Sequence, residues 1–183
     1  MSKKVKKLSL QYSYLQLEEE EVSEICLEVE EEMRLALKET YPEEFKLFYG
    51  PSNAKPEDSE DSEDSEDIKR NPDVKKLYRH IAKKIHPDKE AGGDEEQFKL
   101  AAQAYRENNI AVLLQIASRH NIELTEMSQE TINLLEDNIT TLQKKIASKK
   151  GSSAWYFSQA KTPEDKLNIL AFIAEHIRGT KNA

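Results

Sequence analysis

The sequence predicts an all-α protein. Along most of the chain, apolar residues recur at three- and four-residue spacing, the period of one helix face. Five glycines and six prolines in 183 residues are too few for a turn-rich sandwich or barrel. Two prolines sit inside helix starts. Asn71-Pro72-Asp73 and Thr162-Pro163-Glu164-Asp165 each combine a capping side chain, proline in the first turn and an acid at the positive end of the dipole.

Residues 1–50 read as an N-terminal helical region. Leu8, Leu10, Tyr12 and Tyr14 alternate with polar residues, a strand-like period. No partner strand is evident, so this lead is extended or the early part of a helix. From about Glu18 to Glu39 the period is helical, with Val22, Ile25, Cys26, Val29, Met33, Ala36 and Leu37 on one face. The opposite face is rich in glutamate. Packing on the rest of the protein is the favoured role, and partner binding the alternative. Residues 51–70 read as an acidic linker. Positions 57–67 hold eight acids and no base, cannot bury apolar surface and repel one another. Disorder is expected over residues 52–68. A solvated spacer is the favoured role. The alternative is a segment that folds back onto basic residues nearby and mimics a charged partner.

Two helices follow. The first starts at Asn71, and Tyr78, Ile81, Ala82 and Ile85 form its apolar face. At 100° per residue, Lys76, Arg79 and Lys83 project on the other side, flanked by Lys75 and Lys84. The helix stops at His86-Pro87-Asp88, because proline lacks the N–H and pushes the preceding residue out of the α region. That places Asp88 on an exposed turn. A lysine and arginine stripe is usually a solvated surface. Its place beside an exposed His-Pro-Asp turn favours a docking surface instead. Gly92-Gly93 then make a flexible turn. Asp94-Glu-Glu-Gln97 reads as a capping box, with Gln97 reaching back, ahead of a stripe of Phe98, Ala101, Ala102 and Tyr105. The two helices should form an antiparallel hairpin.

Residues 72–109 resemble the second and third helices of a J-domain, the defining module of the DnaJ co-chaperones. The resemblance rests on Tyr78-Arg-His-Ile-Ala-Lys-Lys-Ile-His-Pro-Asp-Lys89 and on Phe98-Lys-Leu-Ala-Ala-Gln-Ala-Tyr105. It implies docking on a DnaK-type chaperone and stimulation of its ATP hydrolysis. His86, Pro87 and Asp88 would be the docking loop, and Lys75, Lys76, Arg79, Lys83 and Lys84 the electrostatic contacts. The client protein is not named by the sequence. The chain departs from the family in lacking a short helix just before Asn71. Either residues 43–49 serve as that helix, with an inserted loop, or the N-terminal helix replaces it; the first is favoured. A Gly/Phe-rich segment and paired Cys-x-x-Cys zinc repeats are also missing, so substrate handling of that kind is not implied. The Gly-Gly-Asp-Glu-Glu step resembles J-domains of viral and compact bacterial proteins, and the order of J-domain, short helix, helical seam and aromatic break resembles small J-proteins of bacteria and their phages.

Residues 110–183 read as a C-terminal helical region. Asn109 to Arg119 carries Ile110, Leu113, Leu114 and Ala117, in place of the family's fourth helix. Ser128 caps a longer helix in which Ile132, Leu135, Ile139, Leu142 and Ile146 repeat at coiled-coil spacing. Two heptads fit a hairpin within the chain at least as well as a dimer, so a monomer or a weak coiled-coil dimer is expected. Lys144, Lys145, Lys149 and Lys150 suit the negative end of that helix. After Gly151, the aromatic cluster Trp155-Tyr156-Phe157 is expected to anchor a last helix that presents Leu167, Leu170, Ile173, Ala174 and Ile177, with a recognition surface as the alternative.

Other classes of function fit poorly. The one cysteine excludes an intramolecular disulfide and a cysteine-rich zinc site, and its place on an apolar face suggests a buried thiol. His80, His86, His120 and His176 lack metal-site spacing, and no phosphate-binding loop or nucleophile motif occurs. The expectation is therefore no enzyme, cofactor or metal. No apolar run approaches the roughly 18–20 residues that span a bilayer, and no signal-peptide core follows the basic N-terminus, which points to the cytosol. A net charge of −8 argues against general nucleic-acid binding. The alternative to a co-chaperone is a helical scaffold or adaptor in which the His-Pro-Asp turn is incidental.

Overall fold

The computed structural model describes residues 2–50, 71–88, 94–122 and 127–181. The acidic run 57–67, with its expected disorder, and the Gly92-Gly93 turn lie outside the described residues. Among the described residues the protein is all-α. The helices are α1 (Lys3–Thr40), α2 (Pro42–Tyr49), α3 (Pro72–Ile85), α4 (Glu95–Arg106), α5 (Ile110–Arg119), α6 (Gln129–Lys150), α7 (Ser153–Gln159) and α8 (Pro163–Lys181).

The helices sort into two compact units. One holds α1 to Leu17, α3, α4, α5 and α6 to Lys144. The other holds α1 from Glu18, α2, α6 from Lys145, α7 and α8. Helices α1 and α6 each contribute to both units.

In the first unit α5 is the core element. Ile110, Ala111, Val112, Leu113, Leu114, Ile116 and Ala117 are all buried, so the helix is apolar nearly all round. Helices α3 and α4 pack on it and on each other. The Asn109 side chain caps α5 by accepting from Val112 N, and its amide donates to the Tyr12 hydroxyl at 3.0 Å. Gln115 donates to Ser13 Oγ at 2.9 Å and to Gln16 Oε1 at 2.5 Å. Ala111 N donates to Asn138 Oδ1 of α6 at 3.4 Å. Asn108, with φ of 54°, supplies the left-handed residue that turns α4 into α5, a conformation asparagine tolerates better than most residues.

The lead of α1 is helical from Lys3, which corrects the extended alternative. Ser2 Oγ caps it by accepting from Val5 N, and Val5, Tyr12 and Leu15 are buried. The apparent alternation of Leu8 to Tyr14 mixes two faces of one helix: Tyr12 points inward, Leu10 and Tyr14 outward. In α6, Ser128 Oγ accepts from Thr131 N as expected of a cap. Leu135, Ile139 and Ile146 are buried and Ile132 and Leu142 half-buried within the single chain, so the coiled-coil seam is consumed internally.

The second unit centres on Leu37, Phe157, Leu170 and Ile177, with Phe45 and Ile173 packed against them. Ser152 caps α7, which turns Phe157 into the core and leaves Tyr156 outside. Thr162 and Asp165 cap α8 reciprocally: Asp165 N donates to Thr162 Oγ1 and Thr162 N to Asp165 Oδ2. Ala174 is buried with Leu170 and Ile177, whereas Leu167 is exposed, contrary to the expected face. Helix α2 forms where a J-domain first helix was sought. It packs on α8, with Arg178 Nε 2.5 Å from Glu44 Oε1, and belongs to this unit rather than to the one holding α3 and α4. Phe45 explains it: its ring finds its apolar surroundings in the Phe157 cluster.

Two strips of chain run in the same direction through this unit. Contacts step along both, from Glu19–Lys149 through Cys26–Ser152 and Glu32–Lys166 to Glu44–Arg178. Cys26 is half-buried, with Sγ 3.9 Å from Ser152 Oγ. The Lys149 ammonium bonds the Glu19 carboxylate at 2.5 Å and holds its pKa below the ordinary value; Lys145 adds to this and burial opposes it.

These packing differences predict a contrast in stability. Leu113→Ala, in the centre of α5, should lower the unfolding free energy by about 2–5 kcal/mol. Leu27→Ala, on the exposed side of α1, should change it by no more than about 0.5 kcal/mol. Urea unfolding followed by circular dichroism measures both.

Candidate functional site

Helix α3 divides its side chains sharply. Val74, Leu77, Ile81 and Ile85 are buried, while Lys75, Lys76, Arg79, Lys83 and Lys84 are exposed. The apolar face thus includes Val74 and Leu77, which the sequence reading omitted. Tyr78 and Ala82 lie half-buried at its margin. This rotation sets Lys76, Arg79 and Lys83 opposite the core. Lys84 Nζ donates to the Asn121 carbonyl at 3.3 Å. Lys83 and Lys84, in the last turn, also suit the negative end of the helix.

The hairpin is antiparallel, and three contacts fix it. Tyr78 stacks on Tyr105 with centroids 4.5 Å apart and planes 14° from parallel. The His86 ring meets Phe98 edge to face at 5.1 Å. Asp94 N donates to the Ile85 carbonyl at 3.2 Å. Asp94 Oδ1 accepts from Gln97 N, so half of the expected capping box is present. The other half is not: Gln97 Oε1 is buried and finds no hydrogen-bond partner among the described residues.

His86 ends α3 with φ of −55° and ψ of 132°, the extended backbone that Pro87 imposes. Its Nδ1 accepts from Asp88 N at 3.3 Å and lies 3.5 Å from Asp88 Oδ2. His86 is half-buried against Phe98, and Asp88 has its side chain 88% exposed. The turn therefore has an anchored residue and a presented one, a distinction the sequence did not make. Phe98 was visible as part of a stripe, but not as the support behind the turn.

The start of α3 is tied to the start of α6. Asn71 Oδ1 accepts from Asp73 N. Asp73 Oδ2 in turn accepts from the buried Thr131 hydroxyl at 2.6 Å and from Ser128 N at 3.0 Å. The Thr131 bond is the largest cause of a lowered Asp73 pKa, followed by Ser128 N; burial opposes both, and Lys76 adds a smaller attraction. No sequence signal pointed to this clamp, because a Ser-x-x-Thr pair at a helix start reads only as a local cap.

Elsewhere, His120 Nε2 is buried 3.8 Å from Asp94 Oδ2, beyond hydrogen-bond reach. Among the described residues no three His, Cys, Asp or Glu side chains gather as a metal site, and no helix is long and apolar enough to cross a membrane. No protein-family model matches the chain, and comparisons with curated proteins and with solved structures return no match.

The clamp makes a pH prediction. A carboxylate with a lowered folded pKa stabilises above its unfolded value, about 3.9, and loses that contribution as pH falls toward the folded value. Asp73→Asn should therefore be less stable than the wild type at pH 7. The gap should narrow as pH falls below about 4. Thermal melts of both proteins between neutral and acid pH test this.

Proposed function

We propose that this chain is a J-domain co-chaperone that docks on a DnaK-type ATPase and stimulates its ATP hydrolysis. One observation carries the reading: the exposed basic face of α3 runs directly into a His-Pro-Asp turn that α4 braces from behind. The sequence resemblance assigns docking to the same two features. Lys75, Lys76, Arg79, Lys83 and Lys84 supply long-range attraction to an acidic surface. His86, Pro87 and Asp88 supply the short-range contact.

The chain contributes no hydrolytic group in this reading. Stimulation requires that it bind the hydrolysis-competent conformation of the ATPase more tightly than the resting one. A tenfold faster rate needs about 1.4 kcal/mol of such preference. A rigid turn suits this, since little ordering entropy is spent on contact. Asp88 is the group free to make a new bond, and His86 holds its backbone in place.

The test is the ATPase rate of a DnaK-type chaperone with and without the protein. His86→Gln and Asp88→Asn should each lower the stimulation at least about tenfold, a loss of roughly 1.4 kcal/mol of preference. Helical content should not change, because neither residue is in the core. Normal stimulation by both variants, or none by the wild type, would sink the assignment.

Charge gives a second prediction. Exposed charges are screened over about 8 Å at physiological ionic strength. Reversing Lys76, Arg79 and Lys83 together to glutamate should weaken docking about tenfold or more, chiefly through slower association. Wild-type docking should weaken as salt rises, and the triple variant should lose most of that dependence. Stopped-flow association at several salt concentrations separates the rate effect from dissociation.

A further inference from the structure

We propose that the outer face of α1 pairs with the same face of a second copy of this chain, antiparallel, about a two-fold axis beside Tyr14. This rests on α1 alone and is independent of the co-chaperone reading. Helix α1 has two faces. One carries Val5, Tyr12, Leu15 and Val22 into the interior. The other carries Leu10, Tyr14 and Leu17, which are 63, 67 and 65% exposed. Their spacing of four and then three residues puts them on one stripe of the helix, directed away from the interior face. Three large apolar side chains in line are more than scattered exposure, and they mark an interaction surface.

The charges along the same stripe identify the occupant. One turn and two turns before Leu10 lie Lys6 and Lys3; one turn and two turns after Leu17 lie Glu21 and Glu24. All four are exposed, and none has an ion-pair partner among the described residues. The arrangement is a charge palindrome. A two-fold axis perpendicular to α1 and passing beside Tyr14 sets Leu10 of one copy against Leu17 of the other. The same axis sets Lys6 against Glu21 and Lys3 against Glu24. Each pair occurs twice, as an isologous interface requires. A parallel arrangement in register would oppose lysine to lysine and glutamate to glutamate. Like-charge repulsion therefore selects the antiparallel form.

The contact is one helix on one helix over about six turns. It buries less than the roughly 800 Å² per partner of a standard interface, so the dimer is weak.

Sedimentation velocity on the full chain, from about 10 µM to about 1 mM, reads the equilibrium directly. The wild type should pass from monomer to dimer over that range. Leu17→Glu should abolish the dimer. Lys6→Glu and Glu21→Lys should each weaken it about tenfold, since each change spoils both copies of a pair. The double variant K6E/E21K restores opposite charges across the axis and should recover most of the affinity. All of these side chains are exposed, and unchanged circular dichroism would show that folding is intact. A wild type that stays monomeric throughout would overturn the proposal. So would a dimer that tolerates Leu17→Glu, or a double variant no better than the single ones, since either places the contact elsewhere.

Discussion

Helix α5 presents apolar side chains in every direction, and no single neighbour can cover them. Each surrounding helix has one apolar face to offer. Helices α3 and α4 cover part of α5, and the Tyr12, Gln115 and Asn138 bonds hold α1 and α6 beside it. Because α3 spends Val74, Leu77, Ile81 and Ile85 on this core, the side of the helix that remains for solvent is fixed. That side holds the lysines and arginine. The position of the basic stripe is thus a consequence of burying α5. Side chains such as Leu113 each contribute on the order of 2 kcal/mol through burial, far more than any exposed charge on α3. Core and basic stripe are set by different residues, so the charges can be altered without unfolding the helix.

The His-Pro-Asp turn draws on a second set of restraints. Proline ends the helix, the His86 ring rests on Phe98, and the Asp88 amide donates to Nδ1. None of these bonds is strong alone. Together they leave the turn few conformations, while the Asp88 carboxylate stays in water. The opposite end of α3 is held by Asp73, Thr131 and Ser128. A helix fixed at both ends presents its charges as a rigid array. This matters for recognition, because a fixed array loses less entropy on contact than mobile side chains on a fraying helix.

Much of this was legible in the sequence, for physical reasons that can be named. Asn71, Pro72, Thr162 and Pro163 mark helix starts through local chemistry, and the starts lie where those residues place them. The opposition of Lys76, Arg79 and Lys83 to the apolar face follows from helical period alone. Three features were not legible. The lead of α1 read as alternating because Leu10 and Tyr14 are apolar yet exposed, so apolar character did not report burial there. The packing of α2 on α8 was not visible because α8 lies more than a hundred residues away in sequence, and local pattern carries no long-range information. The Asp73–Thr131 clamp was missed for the same reason.

The two surfaces have different consequences when combined. In the first unit the inner side of α1, at Tyr12, Ser13 and Gln16, is tied to Asn109 and Gln115. The stripe at Leu10, Tyr14 and Leu17 points the other way. The residues of that stripe are distinct from those of the basic face of α3 and of the turn at Asp88. On the proposed co-chaperone role, a dimer would carry two docking faces. For a single ATPase in solution the gain would be only statistical. For ATPases gathered on one client, the second contact would be intramolecular, with an effective concentration in the millimolar range for closely held sites. On that role a weak dimer would suffice, because crowding on a shared client would raise the local concentration of the chain itself. The same weakness keeps the dilute protein monomeric, so bivalent docking would be confined to places where several copies are already assembled.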